Sequence, residues 1–157
     1  MNGAVETWME EPMRRFVRDS GVSLALIAHP SGQVLGQMGF ARAVDVMSAC
    51  ALAAAINASG AELGRMLDGK PFNGLHHPSA GRQAYLVTAE TARGPYLFLT
   101  VFDQASSLGL VRVFFDEFRV RFAEAAPPAE AHPEPALAAD FEQDLHRNLA
   151  VLFGKAS

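Results

Sequence analysis

The sequence predicts a mixed α+β domain, and three observations carry that prediction. Two apolar runs, 22–28 and 33–38, flank His29-Pro30-Ser31-Gly32. Proline presets the turn and glycine tolerates positive φ, so the pair forms a β-hairpin. Three further runs, 71–79, 83–90 and 95–103, are aromatic or β-branched and of strand length, with turn signals at Ala80-Gly81 and Arg93-Gly94 between them. Helical spacing then takes over: Leu108, Val111, Phe115, Phe118 and Phe122 recur every third or fourth residue and make one apolar stripe.

Taken in order, the elements begin with a short helix over 5–19 that turns Trp8, Met9, Pro12, Met13 and Phe16 inward. Pro12 would interrupt its middle, which predicts a kink or a start near Glu10 or Glu11. The hairpin follows. A long alanine-rich helix over 43–67 comes next and stops at Asp68-Gly69, since glycine is the usual terminator. After the three strands, the helix over 107–124 carries two opposite-charge pairs at i,i+4 spacing, Arg112 with Asp116 and Glu117 with Arg121. Residues 124–136, EAAPPAEAHPEPA, change the composition to prolines, alanines and glutamates, as in a solvated, semi-extended linker. Helical periodicity resumes with a ridge of Leu137, Phe141, Leu145, Leu149 and Leu152, with Phe153 beside it and Gly154 as terminator. The expected organisation is a domain over 1–124, a linker over 125–136 and an amphipathic C-terminal helix over 137–157.

Composition narrows the function. A chain of 157 residues, half of them hydrophobic, supports one domain with a core that needs no disulfide or metal staple. A formal charge of -4 argues against nucleic acid, because such binders carry a basic face. Cys50 stands alone, so no disulfide framework is expected and a reducing compartment fits. The start of the chain, MNGAVETWMEEPMRRF, lacks the apolar core of a secretory signal. Asp45, Asn57, Glu62 and Arg65 interrupt the alanine-rich helix, which therefore reads as a soluble element and not a membrane span. A cytoplasmic protein with no membrane insertion is the expectation.

Chemistry finds little support. The stretch FDQASSLGLVRVFFDEF, 102–118, crowds Asp103, Ser106, Ser107 and Gly109 together. A serine nucleophile needs a base within reach and a glycine-flanked elbow, and neither spacing is present. The serines instead suit the free N–H groups that open the next helix. His76 and His77 are neighbours on an expected strand, so they point to opposite faces and do not share a metal; no metal is expected. No phosphate-binding glycine loop precedes a helix, so no nucleotide or other cofactor is expected.

The order α-β-β-α-β-β-β-α, with LGRML (63–67) closing the long helix and VFD followed by SLGLVR (107–112) opening the last one, resembles the roadblock family of dynein light chains over about residues 10–124. The closer likeness is to its bacterial MglB-like branch, whose members carry a similar proline-bearing linker and amphipathic tail. One departure is His29, where relatives usually place an acid, and it should alter only the turn. The resemblance implies a roadblock/longin-like sandwich: a five-stranded antiparallel sheet with the long helix on one face and two helices on the other.

It also implies a homodimer joined through third strands and long helices. Ala51, Ala55, Phe72, Leu75, His76 and His77 are then the dimer-interface candidates. The residues are compatible: 71–79 has few charges to guard a sheet edge, and the helix alanines admit close approach. The implied function is non-enzymatic, a homodimeric regulator that activates GTP hydrolysis, or also nucleotide exchange, on a small Ras-like (MglA-like) GTPase in bacterial polarity or motility. Candidate GTPase contacts are Ala54, Asn57, Ala58, Ala61 and Glu62, with Leu145, Leu149, Leu152 and Phe153 on a tethered tail arm. The alternative is a scaffold or adaptor of the same fold that binds a partner other than a GTPase.

Overall fold

The structure, a computed structural model, describes residues 6–129, 146–148 and Val151. Eight elements follow one another: α1 (Thr7–Ser20), β1 (Leu24–Ala28), β2 (Val34–Gly39), α2 (Ala43–Asp68), β3 (Leu75–His77), β4 (Gln83–Thr91), β5 (Gly94–Phe102) and α3 (Leu108–Ala125). The strands form one five-stranded sheet in the order β2-β1-β5-β4-β3, and every neighbouring pair is antiparallel. This is the expected sandwich. Strand β5 lies at its centre, where it pairs with both β1 and β4.

Side chains on a strand alternate between faces, and here the alternation sorts two layers. Ala25 and Ile27 of β1, Tyr85, Val87 and Ala89 of β4, and Tyr96, Phe98 and Phe102 of β5 turn toward α1 and α3. There they meet Met9, Met13 and Phe16 of α1 and Val111, Phe115, Phe118 and Phe122 of α3. Phe98 sits at the middle, with ring centroids 4.5 Å from Phe118, 5.0 Å from Phe16 and 5.4 Å from Phe115. On the opposite face Leu26, Ala28, Leu86 and Leu97 pack against Val46, Cys50 and Ala53 of α2.

Several local expectations are corrected. Helix α1 does not start near Glu10 or Glu11 but at Thr7, with Pro12 buried inside it. Proline this near the N-terminus forfeits only one intrahelical bond, and its ring joins the core side. Strand β3 is three residues long, not nine. Residues 70–74 instead cross the last turns of α2: a Cβ on Gly60 would lie 2.9 Å from Leu75 Cδ1, and one on Gly64 2.5 Å from the Phe72 nitrogen. The chain is too tightly held against the helix there to run straight as a strand. Of the two anticipated ion pairs on α3, Arg121 reaches Glu117 at 3.5 Å. Arg112 lies over the Tyr85 ring, 5.9 Å from its centroid, and Asp116 pairs with Arg119 at 3.5 Å. A cation above an aromatic face competes well with an exposed ion pair, each being worth about 1 kcal/mol or less.

The hairpin turn closes with His29. Its backbone N–H donates to the Gln33 carbonyl at 2.9 Å, and its Nδ1 accepts from the Ser31 backbone N–H at 3.1 Å. An aspartate side chain commonly makes this contact, and here the imidazole makes it.

Candidate partner-binding surface

The polar cluster after β5 is structural. Asp103 Oδ1 accepts from the Ala105 N–H at 2.8 Å, and Ser106 Oγ donates to the Ser20 carbonyl. Ser107 is the N-cap of α3, its Oγ accepting from the Leu110 N–H at 3.3 Å. All three polar side chains are committed to turning a strand into a helix and tying it to the end of α1. His76 and His77 turn to opposite faces. His76 hydrogen-bonds Gln83 at 2.8 Å and stacks on Phe102 in the aromatic layer, while His77 lines the face that carries α2. Among the described residues no group of three or more His, Cys, Asp or Glu side chains converges as metal ligands do.

The unusual surface is α2. One side seats Val46, Cys50, Ala53 and Gly64 inward. Much of the rest faces solvent with large apolar side chains among a few polar ones such as Glu62 and Arg65: Met47, Leu52, Ile56, Leu63, Met66 and Leu67 are all exposed, Leu52 at 63% and Met66 at 77%. Its stretch Asp45–Asp68 has a mean hydropathy of 1.4 and could cross a membrane by length and composition. A helix this apolar, with so little of it covered by its own sheet, leaves an open apolar face of the kind that marks interaction sites.

The exposed part divides by angle at 100° per residue. Leu52 and Ile56 lean toward β3, and with Leu75, Ala84, Leu86 and Leu99 they enclose an open apolar trough of about 410 Å³. Ala55, Ala58, Glu62 and Met66 lie on the outermost part, and Glu62 pairs with Arg65 at 3.2 Å. Strand β3 is at the sheet edge, so the trough and an unpaired strand edge adjoin. At the N-terminal end Arg42 donates to Asp45 at 2.8 Å, and that carboxylate raises the guanidinium's pKa. Burial likewise pushes the Cys50 thiol up, as expected for an inert core cysteine.

The residues singled out from sequence fall into distinct places. Ala58 and Glu62 are exposed on the outermost surface of α2. Ala54, Asn57 and Ala61 are half-buried; Ala54 packs toward the core, and Asn57 Oδ1 accepts from Thr88 Oγ1 at 3.3 Å. Ala51 and Ala55 are exposed but lie away from the trough. Leu75, His76 and His77 all border the trough, although the His76 ring stacks on Phe102 in the other layer, and Phe72 is half-buried against Gly64. Leu145, Leu149, Leu152 and Phe153 lie outside the described residues. Sequence reasoning passed over Leu52, Ile56, Leu63 and Leu67. Their spacing along one side of the helix was visible, but the alanines between them drew the emphasis. The small-xxx-small pair Gly60 and Gly64 also went unread as a seat for another part of the chain.

A five-stranded antiparallel sheet in this order, with one long helix on one face and two helices on the other, is the roadblock fold. Solved structures of MglB share it. Myxococcus xanthus MglB superposes with a TM-score of 0.68 at 21% identity, over 76% of this chain and 94% of that one. An MglB in a tetrameric arrangement gives 0.67 at 22% identity, over 79% and 91%. A Roadblock/LC7 domain from Streptomyces avermitilis gives 0.61 at 13% identity, over 74% and 93%. No protein-family model and no curated protein matches the sequence.

Proposed function

We propose that this chain is a non-enzymatic regulator of a small Ras-like, MglA-like GTPase and works as a homodimer. The observation that carries the reading is the exposed apolar side of α2 next to the open β3 edge, within a fold shared with MglB. Two copies related by a twofold axis would pair their β3 edges and bury Leu52, Ile56 and Leu63 of both helices, with Leu75 and His77 at the seam. Each such leucine removed from water contributes about 1.5–3 kcal/mol, so a few pairs suffice for a stable dimer. This arrangement moves Ala51 and Ala55 off the dimer seam. They join Ala58, Glu62 and Met66 on a platform made of two adjacent helices, which is where the GTPase would dock.

The platform supplies shape and small side chains and no attacking group, so the regulator would act by rearranging the GTPase's own catalytic residues. The domain over 1–124 would carry this platform, and the linker 125–136 would tether the 137–157 segment as a second contact that promotes hydrolysis, exchange or both. A partner-covered α2 that also seats on its own sheet fits a cytoplasmic protein.

Single-turnover hydrolysis by a GTP-loaded MglA-like GTPase, with and without this protein, tests the reading alongside the mass of the mixture. Faster hydrolysis or faster nucleotide release, with a complex of two regulators and one GTPase, is expected. A dimer that forms no complex and changes neither rate would replace this reading with a scaffold for another partner.

A further inference from the structure

The outer edge of β4 is covered along only part of its length. Strand β5 pairs with all of Gln83–Thr91, whereas β3 pairs only with Ala84, Tyr85 and Leu86. Residues 70–74, which precede β3, leave the sheet for α2, where Gly60 and Gly64 admit them. The slot that a longer third strand would fill therefore stands open beside Val87–Thr91.

Backbone direction defines what the slot accepts. Bonding alternates along an antiparallel strand, and Tyr85 turns toward β5, its carbonyl also accepting from Thr100 Oγ1 at 3.3 Å. Ala84, Leu86, Thr88 and Glu90 thus turn their N–H and C=O groups the other way. Strand β3 takes the first two. No group among the described residues bonds the outward backbone of Thr88 or Glu90. This edge borders an open cleft of about 730 Å³, walled on the α2 side by Asn57 and Ala61 and on the α3 side by Val120 and Glu124. An added strand satisfies both residues at once.

We propose that the slot takes an extended segment of a partner protein, antiparallel to β4, with two adjacent basic residues followed by a small polar and an aliphatic one. Charge selects the basic pair. Two cations border the cleft and both are engaged, Arg65 with Glu62 at 3.2 Å and Arg119 with Asp116 at 3.5 Å. Glu90 and Glu124 border it too, are exposed, and form no ion pair among the described residues.

Register places the other side chains. A residue opposite Glu90 shares its face, and the next one turns to the α3 side. Phe122 packs on Tyr96, the partner of Ala89, and Phe118 on Phe98, the partner of Val87. Glu124 therefore lies toward Ala89 and Val120 toward Val87. The basic pair meets Glu90 and Glu124, and the small residue opposite Thr88 fits beside Asn57 and Ala61. The aliphatic residue opposite Val87 covers Val120, which is 53% exposed. The site uses neither the outer face of α2 nor β3, so it stands whether or not a GTPase is a partner.

Amide chemical-shift titration of the isotope-labelled full-length protein with the end-blocked pentapeptide Thr-Lys-Lys-Thr-Val tests this. Saturable shifts centred on Thr88 and Glu90 are expected. N-methylation of the fourth peptide residue, whose N–H points at Thr88, should weaken binding about tenfold. N-methylation of the third, whose N–H points away from β4, should change it less than about twofold. Glu90→Arg combined with Glu124→Arg, both at exposed positions, should weaken binding at least about threefold, and the peptide Thr-Glu-Glu-Thr-Val should recover it. No saturable binding, N-methyl losses without this alternation, or an affinity indifferent to the charge reversal would overturn the proposal.

Discussion

The two faces of the sheet are built to different standards. The α1/α3 face is a dense aromatic layer in which Phe16, Phe98, Phe115, Phe118 and Phe122 touch one another at centroid distances of 4.5–5.9 Å. The α2 face is a thin layer of leucine, alanine and cysteine under a helix whose outer leucines and methionines meet water. One face is closed by the chain itself, and the other is left open. The difference separates the layer in which the fold's stability resides, the aromatic one, from the face that leaves apolar surface open, α2, where we propose that partners attach.

The comparison breaks most sharply at Phe98. Phe98→Ala should cost about 3–5 kcal/mol, the usual range for emptying a large buried aromatic site. Urea unfolding of the purified protein checks this, and a cost below about 1 kcal/mol would mean that the aromatic layer is not the fold's main support. On the open face, Ile56→Asp should leave the fold intact and convert the dimer to a monomer in sedimentation equilibrium. It places a charge in an apolar seam at about 1–3 kcal/mol or more per protomer. A dimer that persists would move the seam away from the trough.

Ser107→Ala should lower stability by about 0.5–2 kcal/mol through loss of the α3 cap. No change in urea midpoint would show that the helix start is satisfied in another way. The smallest effect on stability belongs to Ala58→Arg, within about 0.5 kcal/mol as for other exposed positions. The same variant should remove GTPase binding in calorimetry while the dimer mass is unchanged, since an arginine cannot fit where two helices present a close platform. Unaltered binding would take Ala58 off the platform.

Much of the architecture was legible because its signals are local. The Pro-Ser-Gly turn made the hairpin readable, Gly69 made the end of α2 readable, and the 108–122 stripe made α3 and its buried face readable, with Leu108 alone only partly buried. Ser107 was legible as a cap because hydroxyls just before an apolar run serve the free N–H groups of a helix. Pro12 and the nine-residue third strand were misjudged for a common reason. Local propensity counts what a segment prefers alone, whereas Pro12 is held by core packing and 70–74 by contact with Gly64.

The candidate surface divides along the same line. The sequence by itself determined that one long apolar helix would lie on the sheet with more apolar surface than one face can bury, since composition and length alone establish that. Only the tertiary structure decided which residues of that helix are left over. Ala54, Asn57, Ala58 and Ala61 stand within eight residues, yet three are half-buried and one is exposed. The angle at which a helix seats depends on contacts from distant segments: the hairpin tip at Gly32 beside Ala51, Thr88 on Asn57, and Leu75 and Phe72 against Gly60 and Gly64. Those contacts join residues far apart in the chain, so no periodicity along α2 could announce them.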